Sequence, residues 1–144
     1  MRKTFLGLAC IIVIMLFITG CNSDISKEKS NPEDVALNEA EKITAEQSYS
    51  ILSSEGEDVL IGDSDAFEFI KNVSVEEGYL EDDFNSMSGD RKIIQYELKE
   101  KSKENETIAL CIIVDKGKAI GAYLDYYDYS PNIRPISFKD FNKE

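Results

Sequence analysis

A run of tyrosines and aspartates near the C-terminus is the group of side chains best suited to bind a ligand. Its members lie within seven residues and are Tyr123, Asp125, Tyr126, Tyr127, Asp128 and Tyr129. Tyrosine rings attract cations and stack on flat groups, and carboxylates between them add negative charge. This candidate interaction surface would receive a cationic peptide or a sugar. The alternative is that two of the rings pack under the edge of a sheet while the others are solvated.

The remaining side chains offer little for catalysis. The 144 residues include no His, which excludes His-based triads, His metal ligands and imidazole acid–base catalysis. No nucleophile elbow, phosphate-binding loop or dinucleotide fingerprint occurs. Neighbouring acids do occur, as an acidic sequence produces by chance, at Asp63/Asp65, Glu76/Glu77 and Asp82/Asp83. We therefore expect a protein that is not an enzyme and has no catalytic residues, metal site or cofactor.

The N-terminus has the layout of a secretory signal. Arg2 and Lys3 precede an uncharged, mostly apolar run over residues 5–19, and small residues follow. This run has 15 residues, whereas a membrane-spanning helix needs about 20. A cleaved signal is therefore favoured over a permanent transmembrane anchor.

The end of this signal, Ile18-Thr19-Gly20-Cys21, resembles the lipobox of bacterial lipoproteins. The resemblance implies that residues 1–20 are removed and that the Cys21 sulfur carries diacylglycerol, with N-acylation of Cys21 left open. Two or three acyl chains hold a protein on a membrane firmly, whereas one does so only marginally. The expected location is the extracytoplasmic face of the cell membrane. The alternative is a plain signal peptide with Cys21 near the cut by chance.

The charge and cysteines of the mature chain restrict its partners and its chemistry. Loss of Arg2 and Lys3 leaves 14 basic and 28 acidic residues, a net charge of −14. Nucleic acid is excluded as a partner, and a cationic peptide or an envelope protein is favoured. Cys10 leaves with the signal, so Cys111 is the one thiol left beside Cys21, and its apolar neighbours indicate a buried, inert group.

Two helix start signals indicate where the tether ends and the folded domain begins. Residues 21–43 are expected to be the lipidated Cys and a tether, in part helical, and residues 44–144 a single domain. Asn31-Pro32 predicts a helix from Pro32 to about Ser53, and a capping box at Thr44 offers a later start. Tyr49, Ile51 and Leu52 would then face the core.

A second helix and several strands follow. Residues 59–61 predict a brief strand, and Ser64 would cap a helix that ends at or before Gly78. The apolar residues of this helix, at helical spacing, are Ala66, Phe67, Phe69, Ile70 and Val73.

The C-terminal half changes to strand patterns. Ile94, Tyr96 and Leu98 alternate with polar residues, and residues 108–114 are continuously apolar, as in a central strand. A charged loop at residues 101–106 and a tight turn with Gly117 connect three antiparallel strands. The predicted fold is α+β, with one or two helices packed on one face of a small antiparallel β-meander.

Residues 51–59, 78–89 and 112–121 together resemble a domain-of-unknown-function family of Gram-positive envelope lipoproteins. The likeness covers about residues 44–125 and rests on turn residues and apolar patterning. Glu57 stands where the family usually has Trp, and Ala122 where it has a last Gly. This resemblance implies no activity and no catalytic residues. We expect a membrane-anchored binding or accessory module, or alternatively an immunity or sequestering lipoprotein that captures a cationic peptide.

Overall fold

A computed structural model describes residues 30–59, 65–86, 91–127 and 133–139. Its elements in chain order are α1 (Pro32–Gln47), β1 (Ile51–Val59), α2 (Asp65–Glu76), α3 (Glu81–Asn85), β2 (Lys92–Lys101), β3 (Thr107–Asp115), β4 (Lys118–Tyr126) and β5 (Ile133–Arg134). The strands form one sheet in the order of the chain, and each neighbouring pair is antiparallel. The predicted α+β meander is therefore confirmed, with β1 and β5 added at its edges. The signal, Cys21, Ile61 and Ser64 lie outside the described residues.

Helix α1 begins as its sequence predicts. Asn31 is the N-cap, and its side chain accepts a hydrogen bond of 3.3 Å from the backbone N–H of Glu33. Pro32 fills the first helical position, where a missing N–H costs nothing. Ala36 and Ala40 are fully buried against the sheet. The packed part of the chain therefore starts with α1, before the predicted boundary at residue 44.

The end of α1 differs from the prediction. Thr44 lies in the last turn rather than at a helix start, and Ser48 closes the helix with a φ of 62°. Ile51 begins β1 instead of continuing the helix, and Leu52 is 54% exposed. Only Tyr49, of the three residues expected in the core at this point, is buried. A left-handed residue at the helix end reverses the chain into the edge strand.

The two longer helices cover opposite faces of the sheet, which corrects the expectation that all helices lie on one face. Side chains of β3 alternate between two apolar clusters. Leu110 and Ile112 pack with α1, whereas Cys111 and Ile113 pack with α2 and α3. Residues 108–114 are all buried, because successive side chains of a strand point to opposite faces and both faces are covered here.

Helix α2 ends before Gly78, as predicted, and buries Phe67, Ile70 and Val73. Phe69 is 40% exposed, so it lies off the buried stripe. In the described residues, no helix is both long and apolar enough to span a membrane.

The turn between β3 and β4 has two residues of positive φ, Lys116 at 48° and Gly117 at 75°. This is the backbone of a two-residue hairpin turn, whose twist matches that of the flanking strands. Asp115 and Lys118 pair across it. The tight turn predicted at this point is confirmed.

Candidate functional site

The tyrosine and aspartate segment does not form one surface. Tyr123 and Tyr126 are 4% and 7% exposed and belong to different clusters, on opposite faces of the sheet. Tyr127, just after β4, is 43% exposed, and Asp125 is half-buried. Asp128 and Tyr129 lie outside the described residues. Among the described residues of this segment, Tyr127 and Asp125 are therefore the ones available for binding.

Asp125 and Tyr127 lie instead with side chains from β1 and β2, beside the part of the sheet that α2 covers. We call this set the carboxylate face: Glu55, Gln95, Glu97, Asp125 and Tyr127. Glu97 and Asp125 both pair with Ala109 of β3, one from each side. Glu97 and Asp125 therefore share one row of the sheet, with the small Ala109 between them.

Tyr127, just after the end of β4, lies within hydrogen-bonding distance of side chains from β1 and β2. Its hydroxyl donates a hydrogen bond to Glu55, 72 positions earlier in the chain, and lies 3.4 Å from Oε1 of Gln95. Burial and the adjacent Glu55 raise the pKa of the Tyr127 hydroxyl. The ring therefore stays neutral, and its exposed part is bordered by carboxylate.

The pKa values of the other two carboxylates of the face, Glu97 and Asp125, are shifted in opposite directions. Lys101 Nζ lies 3.0 Å from Glu97 Oε1, and this hydrogen bond lowers the pKa of Glu97. Burial raises the pKa of Asp125, partly offset by a hydrogen bond from the backbone N–H of Tyr126. Within the described ranges, no Lys or Arg forms an ion pair with Asp125. Among the described residues, the face thus has a half-buried acid that forms no ion pair.

A small acidic groove lies between α1 and the link from α2 to α3. Its cavity of about 120 Å³ is lined by Glu39, Lys42, Ile43, Glu46, Glu77, Gly78, Tyr79 and Ile136. The Tyr79 hydroxyl donates to Glu39 at 2.8 Å, and Ser137 N–H donates to Glu77 at 3.0 Å. Burial and Glu39 raise the pKa of Tyr79. Sites for drug-sized ligands measure about 300–1,000 Å³, so this groove admits no more than one side chain.

The described residues include no reactive thiol and no cluster of metal ligands. Cys111, the thiol predicted to be buried, has no exposed surface, and burial raises its pKa. The thiolate, which is the reactive form, is therefore disfavoured. In the part of the chain that the structure describes, no three Cys, Asp or Glu side chains converge as metal ligands. The carboxylate face can accept hydrogen bonds and hold positive charge.

Sequence patterns missed three members of the face. Glu55 lies in a stretch expected to end a helix, and Gln95 and Glu97 are among the polar residues that alternate with the apolar residues of β2. The alternation of apolar and polar residues along β2 was the sequence signal that could have identified Gln95 and Glu97. What joins them to Tyr127 is pairing between strands distant in sequence, which local patterns do not report.

No protein-family model matches this chain, and no curated protein or solved structure is similar to it. The resemblance to a lipoprotein family stays a prediction from residues 18–21 and from the segments quoted above. The function must follow from the chemistry of the carboxylate face and from the composition of the chain.

Proposed function

We propose that the protein is a lipid-anchored, extracytoplasmic binding module for a cationic peptide segment, without catalytic activity. The lipobox-like residues 18–21 support the anchor on Cys21. The net charge of −14 expected for the mature chain supports a basic partner, because opposite charge speeds encounter and like charge repels.

The carboxylate face is the observation that carries this proposal. An exposed aromatic ring bordered by carboxylates suits a Lys or Arg side chain, which packs over the ring while its charged end meets oxygen. Such a contact over an exposed ring contributes about 0.5–1 kcal/mol, and hydrogen bonds to charged groups about 1.5–3 kcal/mol each. The face is open and crosses four strands, so an extended segment with several basic residues suits it better than a small molecule.

The partner has two candidate sources. One is a basic segment of an envelope protein, which makes the chain an accessory module. The other is a free cationic antimicrobial peptide, which makes it an immunity or sequestering lipoprotein. The survival of cells exposed to an antimicrobial peptide distinguishes these two sources. Only sequestration predicts that survival depends on Tyr127.

Titration with a lysine- and arginine-rich peptide tests the binding itself. Glu55→Gln and Tyr127→Ala should each weaken it roughly tenfold, the equivalent of about 1.4 kcal/mol. Glu41→Gln is the matched control, because it removes one exposed charge from α1, away from the face. Glu46→Gln tests whether the peptide binds in the acidic groove instead, because Glu46 lines that groove.

The pattern among these variants decides the outcome. Equal, small losses in all three Glu→Gln variants would mean that net charge alone attracts the peptide. A loss confined to Glu46→Gln would place the peptide in the groove. Either result contradicts the carboxylate face as the binding site.

A further inference from the structure

The chain enters the folded domain beside the turn between β3 and β4. Ser30 Oγ donates a hydrogen bond of 3.3 Å to the carbonyl of Gly117. A Cβ atom at Gly117 would collide with this Ser30 hydroxyl, so the two residues are in close contact. Helix α1 starts directly afterwards, with Asn31 as its N-cap. Whatever holds residues before Ser30 therefore acts on this end of the domain.

The carboxylate face reaches the opposite end. Strand β4 has nine residues from Lys118 to Tyr126, and at about 3.3 Å per residue its ends lie about 27 Å apart. Asp125 and Tyr127 stand at the far end. Glu97 shares their row across Ala109, and the 102–106 loop lies beyond it. The entry point and most of the binding face are separated by nearly the length of the sheet.

We propose that the β3–β4 turn is the membrane-facing end of the domain and that anionic lipid headgroups are its partner surface. This inference rests on the proposed lipid anchor at Cys21. Nine residue steps lead from Cys21 to Ser30, and at about 3.3–3.6 Å each they span about 32 Å at most. The tether therefore keeps the turn within that distance of the lipid, and the proposed orientation directs the carboxylate face outward.

Two exposed lysines of the turn are the groups that would contact the headgroups, and they lie at the same end as the exposed acids Glu33 and Asp34 of α1. Lys116 and Lys118 on this turn have side chains that are 63% and 57% exposed. Lys118 Nζ lies 2.5 Å from Asp83 and Lys116 Nζ lies 4.0 Å from the buried Asp115, so each has a neighbouring acid within the protein. Anionic headgroups attract exposed lysines. Glu97 and Asp125 lie at the other end of the strands, more than a Debye length from the headgroups.

Energy transfer from a fluorophore to an acceptor lipid tests the orientation in the full, lipidated chain. Asp34→Cys places a label in the first turn of α1, next to the tether, and Glu104→Cys places one in the far loop. Both positions are exposed and both substitutions remove one acid, so the pair is matched in charge. A maleimide dye should label only the introduced thiol, because Cys21 is acylated and Cys111 is buried.

In phosphatidylglycerol vesicles, transfer should be severalfold higher from position 34 than from position 104. Lys116→Gln/Lys118→Gln should reduce this difference to that seen in phosphatidylcholine vesicles. Equal transfer from both positions would overturn the orientation, and an unchanged difference in the lysine variant would overturn the headgroup contact. Unmodified Cys21 by mass spectrometry, with failure to sediment with vesicles, would instead overturn the anchor and hence the proposed function.

Discussion

Substituting Gly121 by Ala tests whether the two helices on one face are packed against β4 as closely as the structure shows. An added Cβ would lie 2.6 Å from Phe84 Cζ, 2.8 Å from Ser74 Oγ and 3.0 Å from Ile113 Cδ1. All three neighbours are almost fully buried. One methyl group would thus press on α2, α3 and β3 together.

The neighbours have little freedom to move away. The Phe84 ring contacts Phe67 edge to face, with centroids 6.1 Å apart. The backbone carbonyl of Phe84 accepts a hydrogen bond of 2.5 Å from the side chain of the buried Arg91. The Ser74 hydroxyl donates to the carbonyl of Ala122 at 3.3 Å. Overpacking a core costs about 1–3 kcal/mol, and these constraints place Gly121→Ala in the upper half of that range.

Urea denaturation followed by circular dichroism measures the loss, as a lower midpoint with an unchanged slope. Phe84→Leu removes the closest atom and provides the control. Because the two sites touch, the double variant should lose less stability than the two single losses added together, by about 0.5–3 kcal/mol. A Gly121→Ala variant as stable as the parent, or losses that simply add, would refute the close packing of α3 on β4.

Three further substitutions have defined outcomes. Leu110→Asp should unfold the domain, because an unpaired charge in the fully buried centre of β3 costs several kcal/mol; an unchanged circular dichroism melt would contradict this. Cys21→Ala should block lipidation and signal cleavage, which mass spectrometry of the N-terminus detects. Asp125→Asn should stabilise the protein at neutral pH. Burial raises the pKa of Asp125 above its ordinary 3.8, so its favourable contribution exists below pH 3.8 and is lost as the pH rises through the raised value. The gain should vanish in acid, and a gain independent of pH would exclude this cause.

Local chemistry was predictable from the sequence because it depends on adjacent residues. The Asn31 cap with Pro32 and the positive-φ turn at Gly117 both lie where their residue types require them. Strand β3 was also predictable, from seven consecutive apolar residues. That unbroken run already implied cover on both faces of the sheet, which one layer of helices does not provide.

Strand β1 and the carboxylate face were not predictable in this way. Ile51–Val59 is rich in Ser and Glu and contains Gly56, so its own propensity for strand is weak. It becomes a strand because β2, some forty residues later, offers a free edge. Tyr127 meets Glu55 only after that pairing forms, and no pattern within either segment records the contact.

Because both faces of β3 are covered by helices, the buried Cys111 thiol can report when the domain opens. Cys111 points toward α2 while its neighbour Leu110 points toward α1, and the strand is hydrogen-bonded on both edges. A thiol reagent can reach this sulfur only after a helix lifts away or the strands separate. Its reaction rate, compared with amide hydrogen exchange along β3, would therefore distinguish partial opening on the α2 side from global unfolding.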